Sequence, residues 1–191
     1  MKPTLRSHWL AAALLPLGLI AASVGFAQGA FRLQEARIDD IHAALKAGQL
    51  TCRRLVQAYL DRIDAYDKRG PALNALQHVN ARALEEADRL DAAFKAGGAS
   101  GPLHCIPVLV KDQVETSDMP TTYGSAVFAG FMSQRDATIV ERMRKAGAVI
   151  LGKTTMGEFA SRYIGSASGI IRNAYDPDRN ASRRPGRYPR H

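Results

Sequence analysis

The hydrophobic positions in the first half of the chain repeat at the spacing of amphipathic helices. Apolar side chains between residues 35 and 46 recur every three or four positions and stop at Gly48, as in a helix closed by a glycine cap. The stretches 51–68 and 81–95 have the same pattern. Each predicted helix has one apolar face and therefore needs a sheet or another helix to cover it.

Short apolar runs predict the strands of an α/β fold. Residues 103–112 read LHCIPVLVKD and residues 148–151 read AVIL, and both have the length and composition of strands buried on both faces of a sheet. A shorter strand is predicted within 72–79. A helix capped by Asp136, with Ile139, Val140 and Met143 facing inward, is predicted before the AVIL run.

Two stretches around the second strand have local signals of their own. Residues 113–135 show no sustained period, and an irregular loop of that length inside a compact domain is usually functional. Thr155 and Glu158 stand three apart, which is the spacing of a capping box and predicts a short helix after the strand.

The formal charge of +8 lies mainly at the two ends of the chain. Lys2 and Arg6 are at the front, and five arginines with no acidic residue lie between Arg179 and His191. The body between the ends is close to neutral, so we expect no nucleic-acid partner. The alternative is that the C-terminal tail is a basic arm for anionic partners.

The N-terminal residues have the pattern of a secretory signal peptide. Lys2 and Arg6 precede the apolar run WLAAALLPLGLIAASVGF, and small residues follow near Ala27. We predict a signal peptide over residues 1–27, cleavage after Ala27, and a secreted or periplasmic protein without membrane contact once cleaved. An uncleaved anchor is the alternative, although the run is shorter than the ~20 residues that a span needs.

Two cysteines, Cys52 and Cys105, are present. Export would allow them to pair. However, Cys52 falls on the apolar face of a predicted helix and Cys105 in an apolar strand. The pattern therefore favours two buried free thiols over a disulfide.

Two short motifs suggest chemistry that their context does not support. GAVILGKT at 147–154 matches the phosphate-loop pattern, but a helix precedes Gly147 and a strand separates the two glycines, so nucleotide binding is not expected. GSASG at 165–169 has Ala167 where a serine-hydrolase elbow needs serine. The histidines are scattered, and we predict neither a metal nor a cofactor.

Lys111 is the residue best placed for a chemical role. A lysine that ends a buried strand and faces a long loop can be desolvated, which lowers the pKa of its amine and lets it act as a neutral base. Without further context a structural role is favoured, either as an exposed strand-end charge or as a partner of Asp112.

Longer motifs supply that context. GPLHCIPVLVKDQVETSDMPTTYGS, RDATIVERMRKAGAVILGKTTMGEFA and RNAYDPDRN occur in the order and spacing of the amidase signature family. The chain resembles the N-terminal portion of that family over roughly residues 34–180. The resemblance implies an α/β fold, a mixed sheet covered by helices, with a partial amidase domain at 28–180.

The same resemblance implies an activity and two site residues. Family members hydrolyse carbon–nitrogen bonds in linear amides with a serine nucleophile, a bridging serine on a cis peptide and a lysine. Lys111 matches the catalytic lysine, which accepts a proton through the bridging serine and later returns one to the leaving amine. Ala160 matches a position that lines the substrate pocket, and the implied partner is a small-molecule amide.

The sequence departs from the family after Asn180. The family continues into a Gly/Ser-rich stretch of the form GGSSGG, whereas residues 181–191 read ASRRPGRYPRH, a divergent Arg/Pro-rich tail. We expect an amidase that is truncated before its serine loop and inactive alone. We favour a frame change over a cut gene as the cause of the truncation. The alternative is a non-catalytic interaction protein that uses the tail as a basic arm.

Overall fold

A computed structural model describes residues 31–161, 164–179 and 181. The predicted signal peptide at 1–27 lies outside these residues. The same holds for the Arg/Pro-rich tail apart from Ala181. The predictions for both ends therefore remain predictions.

Four α-helices lie in the described part of the chain, and all four were predicted from their apolar spacing. The second continues into a π-helical turn at Asp64–Lys68. None of the described helices is both long and apolar enough to cross a membrane. The helices are α1 (Ile38–Lys46), α2 (Cys52–Ile63), α3 (Ala83–Gly97) and α4 (Thr138–Lys145).

Three strands form a mixed sheet, which confirms the α/β class. The strands are β1 (Leu76–Val79), β2 (Pro107–Lys111) and β3 (Val149–Thr154). Their order is β1–β3–β2, with β2 parallel and β1 antiparallel to β3. Two short strands, β4 (Ile164–Gly165) and β5 (Gly169–Ile170), form a separate hairpin.

The prediction of strands buried on both faces is confirmed for β3 and wrong for β2. In β3 the residues from Val149 to Lys153 are all buried, because a strand pairs on each side and apolar side chains cover both faces. Strand β2 lies at an edge of the described sheet, where Leu109 is 42% exposed while Val110 is 6% exposed.

Apolar side chains cover both faces of β3 and form two cores. One face, with Val149 and Leu151, packs with α1, α2 and α3. The other, with Ile150, packs with Val140 of α4 and with Val110 and Met119. Val140 thus faces inward as predicted, whereas the prediction for Ile139 is wrong because its side chain is 59% exposed. The larger core comprises Ile41, Ala44, Leu45, Leu50, Cys52, Leu55, Val56, Ala83, Ala87, Cys105, Val149 and Leu151.

The two cysteines form a disulfide, so the prediction of free thiols is wrong. Cys52 begins α2 and Cys105 precedes β2, and their Cα atoms are 5.3 Å apart. Both residues are fully buried in the larger core, as predicted. Their pairing depends on how segments 53 residues apart in sequence come together, which the local pattern does not reveal.

Two predicted helix starts are also wrong. Thr155 does not cap a helix, because its hydroxyl donates to the Asn74 carbonyl oxygen at 2.8 Å and only a 3-10 turn forms at Glu158–Ala160. Helix α4 has Ala137 as its N-cap. The Asp136 carboxylate instead accepts from the Ser117 backbone N–H at 2.7 Å and pairs with Arg144 at 3.0 Å.

Candidate functional site

Lys111 borders a cleft at the carboxyl end of the parallel strands. It is the last residue of β2 and lies beside Thr154, the last residue of β3. The cleft has a volume of about 560 Å³, and Ala160 also lines it. The structure thus brings together the two site residues predicted from the sequence. The cleft is lined by Ala75, Lys111, Gln113, Thr154, Thr155, Met156, Gly157, Ala160, Ile171 and Ala181.

The Lys111 amine lies in surroundings that disfavour its charge. Its Nζ atom donates to the backbone carbonyl oxygen of Thr155, on the wall of the cleft. Burial lowers the pKa of Lys111 below the ordinary value, and the Asp112 carboxylate opposes that shift. Lys111 is exposed as a whole residue, and only its amine end is partly desolvated against the cleft. The amine is therefore somewhat easier to deprotonate than that of a fully solvated lysine, which suits a group that has to accept a proton.

Residues 155–160 form the wall of the cleft that the Lys111 amine contacts, and part of this wall has an unusual backbone. Phe159 and Ala160 have φ angles of 48° and 58°, in the left-handed region that non-glycine residues rarely occupy. The Phe159 backbone N–H donates to the Tyr123 carbonyl oxygen at 2.8 Å, which ties the wall to the long loop 113–135. Such strain persists only where neighbouring contacts fix the backbone.

Two structural roles were considered for Lys111 from the sequence. It is exposed at the end of β2, as the first role requires, whereas the second, a pair with Asp112, does not form. Asp112 is fully buried, and its carboxylate bonds to the long loop. Oδ1 accepts from the Thr122 backbone N–H at 3.2 Å, and Oδ2 accepts from the Thr122 hydroxyl at 2.6 Å and the Gly124 backbone N–H at 3.0 Å. In the sequence, the only indication of this role for Asp112 was an acidic residue directly after the strand.

Lys153 is a second buried charge that the sequence analysis did not single out. It is 0% exposed, and its Nζ atom donates to the Pro120 carbonyl oxygen at 3.0 Å and to the Thr121 hydroxyl. Burial lowers the pKa of Lys153 to about 8, although nearby carboxylates, Asp112 foremost, favour the charged form. A lysine directly after the apolar run AVILG is the signal that could have identified it.

The two short motifs have structural roles. The residues between Gly147 and Gly152 belong largely to β3 and make no open turn of the kind that wraps phosphates, as expected from the sequence. The residues of GSASG form the β4–β5 hairpin. In it the Ser166 hydroxyl donates to Glu158 at 2.7 Å and accepts from the Ala126 backbone N–H at 2.9 Å. Within the described ranges, no three His, Cys, Asp or Glu side chains are grouped to hold a metal ion.

Comparison with known proteins identifies relatives over most of the chain. The Amidase family model matches residues 54–182. A glutamyl-tRNA(Gln) amidotransferase subunit from Thermobifida fusca is 46% identical over 143 residues, which is 73% of this chain and 28% of that protein. The chain thus spans less than a third of the length of this relative.

Solved structures agree with this match. The peptide amidase of Stenotrophomonas maltophilia superposes with a TM-score of 0.73 at 40% identity, over 78% of this chain and 32% of that one. An amidase family protein of Bacillus anthracis gives a TM-score of 0.71 at 33% identity, over 76% and 30% of the two chains. The chain belongs to the amidase signature family, of which it spans the N-terminal portion.

Proposed function

We propose that this chain carries the lysine of an amide-hydrolysing site, with Lys111 as the proton carrier and the adjoining cleft as the place where a small amide binds. The observation that carries the proposal is the position of the Lys111 amine. It lies at the carboxyl end of β2, on a cleft of about 560 Å³ that Ala160 also lines. Membership of the amidase family supplies the reaction class.

The proposed chemistry uses the neutral form of the Lys111 amine. A serine oxygen attacks the amide carbon while its proton passes through a bridging serine to the amine. The resulting ammonium then returns a proton to the amide nitrogen, the C–N bond breaks, and the amine leaves. Water then cleaves the acyl–serine ester, which releases the carboxylic acid and restores the serine hydroxyl. The lowered pKa of Lys111 makes the first transfer easier.

We further propose that the chain does not hydrolyse amides by itself. Residues 181–191 read ASRRPGRYPRH where the family has its GGSSGG stretch. Ser182 is the only serine there and has no paired glycines around it, so the stretch does not match the family's bridging-serine loop. Without the bridging serine, the Lys111 amine has no route by which to take a proton from a nucleophile.

The test compares this chain with a chimera in which residues from Ala181 onward are replaced by the corresponding region of the Stenotrophomonas peptide amidase. Ammonia release from a dipeptide amide is the measurement, and circular dichroism melts establish that each protein is folded. We expect no release by the chain alone and release by the chimera. Release by the chain alone, or a folded chimera without activity, would contradict the proposal.

We also propose that the protein is exported and loses residues 1–27. The charged start and apolar run support this proposal, and a disulfide between Cys52 and Cys105 is typical of proteins in oxidising compartments. N-terminal sequencing of the protein from a periplasmic fraction should begin at Gln28. A chain that begins at Met1 in the membrane fraction would favour an uncleaved anchor instead.

A further inference from the structure

The Asp112 carboxylate holds one turn of the long loop. This turn runs from Thr122 to Gly124, and the carboxylate accepts from both backbone N–H groups and from the Thr122 hydroxyl. Asp112 is fully buried, and its own backbone N–H donates to the Thr154 carbonyl oxygen at 3.0 Å, extending the ladder between β2 and β3. The turn is therefore fixed to the end of the sheet by a buried charge.

That turn packs directly against the wall of the Lys111 cleft. Gly124 has a φ of +74°, and a Cβ atom there would lie 2.8 Å from the carbonyl group of Gly157 and from the Met156 carbonyl oxygen. Only glycine allows the two backbones to approach so closely. Met156 and Gly157 line the cleft. Beside this contact, the Tyr123 carbonyl oxygen accepts from the Phe159 backbone N–H.

Lys111 and Asp112 thus act on the same wall from two sides. Consecutive residues of a strand point to opposite faces, so the Lys111 side chain faces the cleft while Asp112 faces the loop behind it. The Lys111 amine donates to Thr155 at the front of the wall. Asp112 holds the turn that supports the wall from behind.

We propose that Asp112 is a positioning residue for the Lys111 site. Through the turn 122–124 it fixes the wall at 155–160 that the Lys111 amine faces, and so keeps that amine partly shielded from water. Lys153 reinforces the arrangement because it binds the preceding loop residues Pro120 and Thr121. The inference rests on the proposed role of Lys111, but its test requires no turnover.

The test measures the pKa of the Lys111 amine in the full chain, by trace acetylation at a series of pH values followed by peptide mass spectrometry. Thr122→Val keeps shape and charge but removes the hydroxyl, which donates to Asp112 and accepts from the Gly124 backbone N–H at 3.1 Å. Thr116→Val is the matched control, because Thr116 is also buried in the loop but its hydroxyl donates to Met119 at 3.2 Å. Thr122→Ser keeps the hydroxyl and is the conservative variant.

We expect Thr122→Val to raise the pKa of Lys111 toward the ordinary lysine value, because water reaches the amine when the wall loosens. Thr116→Val and Thr122→Ser should leave this pKa unchanged. An equal rise in both valine variants would overturn the proposal, since it would reflect general loosening of the loop. An unchanged pKa in Thr122→Val would overturn it as well.

Asp112→Asn gives a second test that distinguishes positioning from simple charge. The Asp112 carboxylate favours the charged form of Lys111, so loss of that charge alone would lower the pKa of the lysine further. Loss of a positioned wall would raise it. We expect a rise, and a fall would show that Asp112 acts only through its charge. These outcomes are independent of whether the chimera hydrolyses amides.

Discussion

Three buried residues hold the loop 113–135 against the rest of the molecule. Asp112 and Lys153 are charged and fully buried, and both are stabilised by hydrogen bonds to the loop 113–135. Gly124 has no side chain, and this absence permits the backbone contact behind the cleft. At this scale the loop is held by the carboxylate of Asp112 and the ammonium group of Lys153, and its close approach to the cleft requires that Gly124 has no Cβ atom.

Gly124→Ala should be strongly destabilising, because the new Cβ atom would meet backbone atoms at 2.8 Å and the residue would keep a positive φ. We expect a loss of about 3 kcal/mol or more in the free energy of unfolding, measured by urea denaturation. Gly48→Ala is the control, since Gly48 also has a positive φ but has nothing within 4 Å of the added atom. Its loss should be only about 1 kcal/mol. Similar losses in both variants would contradict the close contact at Gly124.

Stability should fall in mild acid because His104 is buried in its neutral form. Burial, and secondarily the charge of His42, lowers the pKa of His104 below 6.5, while Asp91 opposes the shift. The folded pKa lies below the unfolded one. The contribution of His104 is therefore complete above pH 6.5 and is lost as the pH falls through the folded value.

The matching measurement is the melting temperature at pH 7.5 and pH 5 for the parent and for His104→Gln. The variant should lose less stability on acidification, even if it is less stable at pH 7.5. Equal losses in the two proteins would exclude His104 as a source of the acid sensitivity.

At the scale of elements, the local patterns predicted the helices, whereas contacts between distant segments could not be predicted. Helices α1, α2 and α3 have apolar stripes that depend only on nearby residues. The exposed edge at β2 and the pairing of Cys52 with Cys105 depend on which segments meet in space. The capping box at Thr155 failed for the same reason, since its hydroxyl bonds to Asn74 on a distant segment.

The disulfide should contribute substantially to stability, because it joins the start of α2 to the residue before β2 across 53 positions. For a loop of that size, chain entropy alone predicts about 4 kcal/mol. Cys52→Ala with Cys105→Ala should lower the free energy of unfolding by about 3 to 4 kcal/mol. Dithiothreitol should destabilise the parent but leave this double variant unchanged; no effect of the reductant on the parent would contradict the pairing.

Arg144 links α4 to its surroundings through three carboxylates. The guanidinium contacts Glu86 of α3 at 3.2 Å, Asp118 at 2.5 Å and Asp136 at 3.0 Å, and it is 25% exposed. Arg144→Met would leave these partly buried carboxylates without their counter-charge. The expected cost is about 3 kcal/mol in thermal or urea unfolding. Arg142→Met, at an exposed position of the same helix, should cost less than about 0.5 kcal/mol.

At the scale of the whole molecule, the chain is the N-terminal portion of an amidase fold and spans 28% of its Thermobifida relative. The order of the family motifs predicted Lys111 and Ala160 as site residues; the structure places both on one cleft, and their roles stay predictions. The sequence did not predict the support behind them, because residues 113–135 have no periodicity from which the contacts of Asp112 or Lys153 could be inferred. Those contacts exist only once the loop folds back on the sheet.

The most direct test of the account is the turnover of a dipeptide amide by the chimera with and without the Lys111 amine. Lys111→Ala should lower kcat by about a hundredfold or more, the usual contribution of a positioned general base. Lys145→Ala, which removes an exposed lysine at the end of α4, should leave kcat within about twofold. A Lys111→Ala chimera that stays folded and keeps the parent kcat would contradict the central claim that Lys111 carries the proton.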